Sequence, residues 1–179
     1  MPNAMQKLLQ RLQQLNEVGA ALSRERDIDH LLERILDAAQ MLTHADGGTL
    51  YRVTEDGSAL RFALMRTHSL GLHQGGSSGQ AVEFPDLPLY LPDGRANDSL
   101  VAVHAAVHDH TVSIADAYDS TEFNFAGARA FDLSTGYRSR SFLTVPLRNH
   151  DRELVGVLQL INSIDPATGA VRAFSQQDR

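Results

Sequence analysis

Hydrophobic and polar positions alternate along this chain with a period that changes several times, and two runs near its end are apolar almost throughout. Between Ser139 and Asp178 lie Ser141 to Leu147 (Ser-Phe-Leu-Thr-Val-Pro-Leu) and Leu154 to Asn162 (Leu-Val-Gly-Val-Leu-Gln-Leu-Ile-Asn), joined by a polar link at Asn149 to Arg152. Both are rich in β-branched and aliphatic residues and carry no internal charge, so they predict a buried antiparallel hairpin. A pair this apolar belongs at the centre of a sheet, because at an edge it would template aggregation.

At the other end, Met5, Leu8, Leu12, Leu15, Gly19 and Leu22 alternate spacings of three and four in an otherwise polar stretch. That is the seam of a short coiled coil, or one amphipathic helix lying on its own domain. So few heptads are weak in isolation, which favours self-association into a dimer. A second helix is predicted from Asp27 as N-cap to Thr43, with Ile28, Leu31, Leu32, Ile35, Leu36, Ala39 and Leu42 on one face and Asp46-Gly47-Gly48 as its stop. Strands follow from Thr49 to Val53 and from Leu60 to Thr67 around an Asp56-Gly57 turn, with Leu60, Phe62 and Leu64 alternating inward.

Five glycines and three prolines then crowd Gly71 to Asp98, leaving space for one short strand at Ala81 to Phe84 in a long surface loop or ligand lid. Its Gly-Gly-Ser-Ser-Gly run lacks the Lys-Ser/Thr ending of a P-loop, so nucleotide hydrolysis is not indicated. Asn97, Asp98 or Ser99 can cap a helix through Val107. A strand at Val112 to Ala115, a polar turn at Asp116 to Asp119 and a helix from Phe125 to Leu133 ended by Gly136 complete the reading.

Composition narrows the function more than the fold. With 179 residues and 42% hydrophobic content, one domain plus an appendage is the natural division. A formal charge of -6 without a basic run argues against a nucleic-acid partner. No apolar stretch is long enough for a membrane helix or shaped as a secretion signal, which points to the cytoplasm. The chain has no Cys, which excludes disulfides, thiolate metal sites and Cys nucleophiles.

The hairpin and the tail that follows it, with Asn162, Phe174 and Asp178, resemble the last strands and closing motif of a GAF domain, the small-molecule sensing module of many signalling proteins. The resemblance reaches from about Asp27 to the end, so the chain divides into an N-terminal helix at 1–26 and a GAF-like domain at 27–179, cut where a connecting helix would begin. It implies an α+β fold: a central antiparallel sheet of about six strands with helices on both faces. GAF domains that bind cyclic nucleotides tend to show Asn-Lys, a Phe and then Asp-Glu in this tail. Here the Lys position is Ser163 and the Glu position Arg179. A Lys to Asp178 pairing is therefore impossible, with Arg172 or Arg179 as candidate replacements. The absence of Cys also removes, within the family, bilin attachment and reduction of free methionine sulfoxide.

What the resemblance implies about function is a non-catalytic sensing module that passes ligand occupancy through flanking helices to an output domain beyond Arg179, such as a phosphohydrolase or cyclase. It names no cofactor. Alternatives are a dimerisation scaffold without ligand and a cyclic-nucleotide-binding domain. The cavity in such domains lies between the sheet and the helices and loops around Val103 to Gly136, with the strand from Ser139 as floor. Tyr118, Phe125, Tyr137 and Arg138 are thus the candidate walls, with Ser139, Ser141 and Asp116 as hydrogen-bonding groups, while Phe131 and Phe142 read as core filling. His104 and His108 share the spacing of a zinc helix, but the Glu of that motif is missing, and no metal site is read there. The acids Asp116, Asp119, Glu122 and Asp132 read as solvated or capping, and no Ser, His and Asp stand in catalytic array.

Overall fold

A computed structural model of the protein describes residues 4–22 and 28–178. Four helices, α1 (Ala4–Leu22), α2 (Ile28–Thr43), α3 (Val101–His108) and α4 (Ala126–Thr135), surround one antiparallel sheet. The strands are β1 (Ala45–Val53), β2 (Ala59–Thr67), β3 (Leu72–Gly75), β4 (Leu87–Pro88), β5 (Val112–Ile114), β6 (Phe142–Arg148), β7 (Leu154–Ile164) and β8 (Val171–Arg172). Six of them run in the order β3-β2-β1-β7-β6-β5, with β4 added to β2 and β8 to β7. The α+β expectation holds, and the apolar hairpin of β6 and β7 lies inside the sheet, β7 between β6 and β1.

Alternation along the central strands sorts side chains to two faces. Leu143, Leu158 and Leu160 point to one side and meet Leu36 of α2 together with Leu50 and Leu64. Val157 and Tyr51 point to the other, beneath Ala102, Val103 and Ala106 of α3, and Phe142 packs there against Phe125 and Ala105. Helices therefore cover both faces.

Strand β2 departs from simple alternation. Leu50 pairs with Leu64 but Tyr51 pairs with Phe62, so Ala63 is an extra residue, a β-bulge. Leu60 and Phe62 consequently face α3, whereas Leu64 faces α2 with Ala63 beside it. The expected single inward row of Leu60, Phe62 and Leu64 is corrected by that one residue.

Three other boundaries differ from expectation. Helix α2 ends at Thr43 through His44 in the left-handed region (φ 55), and Gly47 and Gly48 belong to β1. They are small because other groups press close: a Cβ on Gly48 would lie 2.6 Å from Leu36 Cδ1. Residues Ala81 to Phe84 form no strand; β3 and β4 are the strands of that segment, because Gly75 and Gly76, at φ 80 and 54, turn the chain away after β3. Helix α3 starts from Leu100 without a side-chain cap, since Asp98 is engaged with His104 and His108. The proposed cap Asp27 and the ending residue Arg179 lie outside the described residues, as do the side chains of Met5, Leu8 and Leu22.

Helix α1 meets α2 and the tail. Arg11 donates to the carbonyl of Gln177 (2.7 Å) and pairs with Asp178 (3.3 Å). Among the described residues the cation paired with Asp178 is Arg11, not Arg172, and Arg179 lies outside them. Ser163, fully buried, instead donates its hydroxyl to the carbonyl of Thr43, tying β7 to the end of α2. On α1, Leu9, Leu12 and Leu15 are 57%, 51% and 48% exposed. No helix among the described residues is long and apolar enough to cross a membrane.

Candidate functional site

A cavity of about 190 Å³ lies between the sheet and the layer formed by α3, α4 and the loop before β4. Its floor is made by alternate residues of the central strands: Thr49 and Tyr51 of β1, Gln159 and Ile161 of β7, and Phe142 of β6. The bulge places Phe62 before it and Met65 and Thr67 after it on this same face, so β2 closes one side. Leu100 to Ala102 at the start of α3 and Phe125, Gly127 and Ala128 at the start of α4 form the roof with Phe131, and Phe84 and Leu87 close the end.

The walls are mainly aromatic. Tyr51 and Phe62 rings are 4.7 Å apart, Phe62 and Phe84 5.2 Å, and Phe125 and Phe142 5.3 Å, distances suited to tilted ring packing. Polar groups in the floor are mostly spoken for. Tyr51 donates its hydroxyl to Gln159 Oε1 (3.2 Å), and Gln159 Nε2 donates to Thr144 Oγ1 (3.1 Å). Complete burial pushes the Tyr51 phenol far up, so it remains a neutral donor.

Tyr137 differs. The residue lines the cavity, while its buried hydroxyl lies beside Gly47, near the Asp46 and Asn162 side chains but short of a well-formed hydrogen bond. Burial first, and then hydrogen bonding to Asp46 and its charge, push this phenol up as well, against a lowering contact from Asn162.

Of the seven residues singled out from the sequence, Phe125, Tyr137 and Ser139 line the cavity. The other four stand behind it. Asp132 of α4, 5% exposed, accepts from Ser139 N–H (2.8 Å), Ser139 Oγ–H (2.7 Å) and Tyr118 O–H (2.7 Å). Arg138 lies 4.1 Å over the Tyr118 ring. Asp116 accepts from Tyr118 N–H (2.9 Å) and Arg140 (2.9 Å). Burial pushes the Asp116 carboxyl up, but those hydrogen bonds with the Arg140 and Arg138 charges outweigh it and hold it below the usual range. Ser141, fully buried, accepts the N–H of Ser163 at 3.3 Å. Asp116, Tyr118 and Arg138 thus belong to a polar brace around the roof, with Ser139 shared between brace and cavity.

Phe131 and Phe142, expected to be core filling, both line the cavity, and Phe142 does so while 3% exposed. Thr49, Thr67 and Gln159 also line it without having been singled out. Only Gln159 carried a signal, a polar residue within the otherwise apolar run of β7, on the face opposite the leucines.

The family model described as GAF domain matches residues 27–179. The chain is 29% identical over 160 residues to the cGMP-specific 3',5'-cyclic phosphodiesterase of Drosophila virilis, covering 88% of this chain but only 16% of that relative's length. Among solved structures, the GAF domain of an Acinetobacter phosphoenolpyruvate-protein phosphotransferase superposes with a TM-score of 0.63 at 15% identity, covering 99% of this chain and 85% of that one. A free methionine-R-sulfoxide reductase from Neisseria meningitidis in complex with its substrate gives 0.62 at 16% identity, covering 99% and 84%. At such identities the two structures speak for the fold alone. The family match spans the whole described region from α2 onward and the fold agrees with it, so this chain belongs to the GAF domain family.

Proposed function

We propose that this GAF domain is a non-catalytic, cytoplasmic sensing module that binds a small, flat, largely apolar molecule in the aromatic cavity and reports its occupancy through the flanking helices to an output domain of a longer protein. The observation that carries the reading is the aromatic-walled hollow itself, with Thr49, Thr67 and Gln159 set among its rings. At about 190 Å³ the space exceeds the roughly 150 Å³ that admits benzene and falls short of the roughly 300–1,000 Å³ of drug-sized pockets. One ring with a polar edge fits as it stands. Occupancy would bias α3 and α4 against the sheet, a population shift that α2 and α1 can pass on.

The test is a thermal-shift screen with nucleobases, nucleotides and small aromatic metabolites. A ligand at about a hundred times its Kd stabilises by about 2.7 kcal/mol, or roughly 5–10 °C for a chain of this size. Tyr137→Phe, which removes a polar group at the cavity wall, should shrink the shift. A screen in which nothing moves the melting temperature overturns the reading.

A second reading, binding of a cyclic nucleotide, is favoured by the relative named for cGMP. It requires the end closed by Phe84 and Leu87 to open, because a nucleotide is larger than the hollow. Titration with cGMP and cAMP in the same screen distinguishes the two. The alternative of a dimerisation scaffold without ligand is favoured by the exposed Leu9, Leu12 and Leu15 on α1, and it predicts a dimer together with a screen that yields no shift.

A further inference from the structure

We propose that Asp98, His104 and His108 form a site for one borderline divalent transition metal, Zn2+ foremost, on the outer surface of α3. His104 and His108 lie one helical turn apart on the same face, their ring centroids 4.5 Å from each other. The carboxylate that their own helix does not supply comes from the turn before it. Asp98 Oδ1 lies 3.1 Å from His104 Nδ1 and 2.7 Å from His108 Nε2, and one ligand atom from each residue falls within 4.8 Å of the others.

Zinc bonds of about 2.0–2.2 Å in a tetrahedron set neighbouring ligand atoms roughly 3.3 Å apart. The two Asp98 distances are within about 0.6 Å of that value, a gap that rotation of a 51% exposed carboxylate can close. Two imidazoles and one carboxylate suit Zn2+, Ni2+ or Cu2+, whereas Mg2+ and Ca2+ prefer oxygen cages. The partial exposure of His108, 43% for its side chain, leaves room for water in the remaining position.

Packing holds the site ready. His110 meets the His104 ring edge-on at 5.0 Å and Phe123 meets it at 5.2 Å, which restricts its rotamers. Without metal, both imidazoles must turn an N–H toward the same carboxylate oxygen; with metal, each neutral ring carries its proton on the other nitrogen and all three side chains offer lone pairs. Asp98 is two residues before Leu100, which begins α3 and lines the cavity. Ser99 accepts the N–H of Asn124 at 2.7 Å, just ahead of α4. A metal would therefore fasten the turn to α3 and stiffen the cavity roof, whether or not the cavity takes a ligand.

The experiment is calorimetric titration of the chelator-stripped full chain with ZnCl2, NiCl2 and MgCl2, beside melting curves with and without Zn2+. The result expected is one Zn2+ per chain, a melting temperature raised by Zn2+ and no response to Mg2+. His104→Ala, His108→Ala and Asp98→Ala should each weaken Zn2+ binding by more than about tenfold, since even residues supporting a ligand contribute that much. His150→Ala, which removes a surface histidine 89% exposed, should leave it unchanged. Asp98→Asn, which keeps the side chain's shape, should retain the metal-free melting temperature and still lose affinity. Absence of Zn2+ binding, or wild-type affinity in the two histidine variants or in Asp98→Asn, overturns the proposal.

Discussion

Asp132 accepts three hydrogen bonds from two residues while 5% exposed, and among the described residues the hydroxyls of Ser139 and Tyr118 have no other acceptor. Hydrogen bonds to a charged acceptor are worth roughly 1.5–3 kcal/mol when one partner is removed. Asp132→Ala should therefore lower unfolding free energy in urea by about 2–4 kcal/mol, and Tyr118→Phe by about 1 kcal/mol because only one bond goes. Equal losses in the two variants would contradict this account of the brace. At this scale the sequence was only partly legible. It marked Tyr118, Phe125, Tyr137 and Arg138 as neighbours in one aromatic segment, but which side of α4 each falls on depends on where that helix starts. Phe125 lies at the N-cap and points inward, whereas Tyr118 is drawn to Asp132 on the other side.

Elements were read more securely than residues because their signals are local. The apolar hairpin, the stripe of α2 and the Gly136 stop of α4 each follow from a few neighbouring positions. The start of α3 did not, because Asp98 turns to His104 and His108 instead of capping, nor did the strands of the glycine-rich segment, whose partners lie on β2. Gly156 also answers to a distant partner: in β7 it opposes Arg52, and a Cβ there would stand 2.2 Å from the Tyr51 carbonyl oxygen. Gly156→Ala should force β1 and β7 apart and cost at least about 1–3 kcal/mol in chemical denaturation; a neutral result would mean that the two strands are less closely held. For α1, replacing exposed Leu9, Leu12 and Leu15 by Glu should turn a dimer into a monomer in sedimentation velocity without lowering the melting temperature of the remaining domain. A monomeric wild type would end the idea of a helical seam.

Over the molecule as a whole, buried and half-buried carboxylates set the acid limit. Burial pushes Glu33 up, yet two hydrogen bonds from Ser77 and the Arg66 charge hold it below its ordinary 4.5. Asp178 is likewise lifted by burial but held below 3.8 by Ser175 and Arg11. A carboxyl depressed in the folded state stabilises fully above its unfolded value and loses that contribution as pH falls through its folded one. Melting temperature should thus decline below about pH 4.5 and more steeply below about 3.8, and Glu33→Gln with Asp178→Asn should flatten that decline. An unchanged acid slope in the double variant would assign the loss to other groups. The fold class was visible at this scale because a central apolar hairpin allows few arrangements. The volume of the hollow was not, since it depends on how seven aromatic rings settle against one another.

The extra residue at Ala63 makes the length of β2 a matter of parity. Deleting any one residue between Ala59 and the bulge, or adding one after it, would carry Arg66 to the side now held by Met65 and Thr67. A guanidinium would then intrude where a flat guest is to sit, and α2 would lose its leucine. Insertions and deletions here should be tolerated in twos and rejected singly, except for loss of Ala63 itself, which restores plain alternation; a length-scanning library scored for folding can read that rule directly.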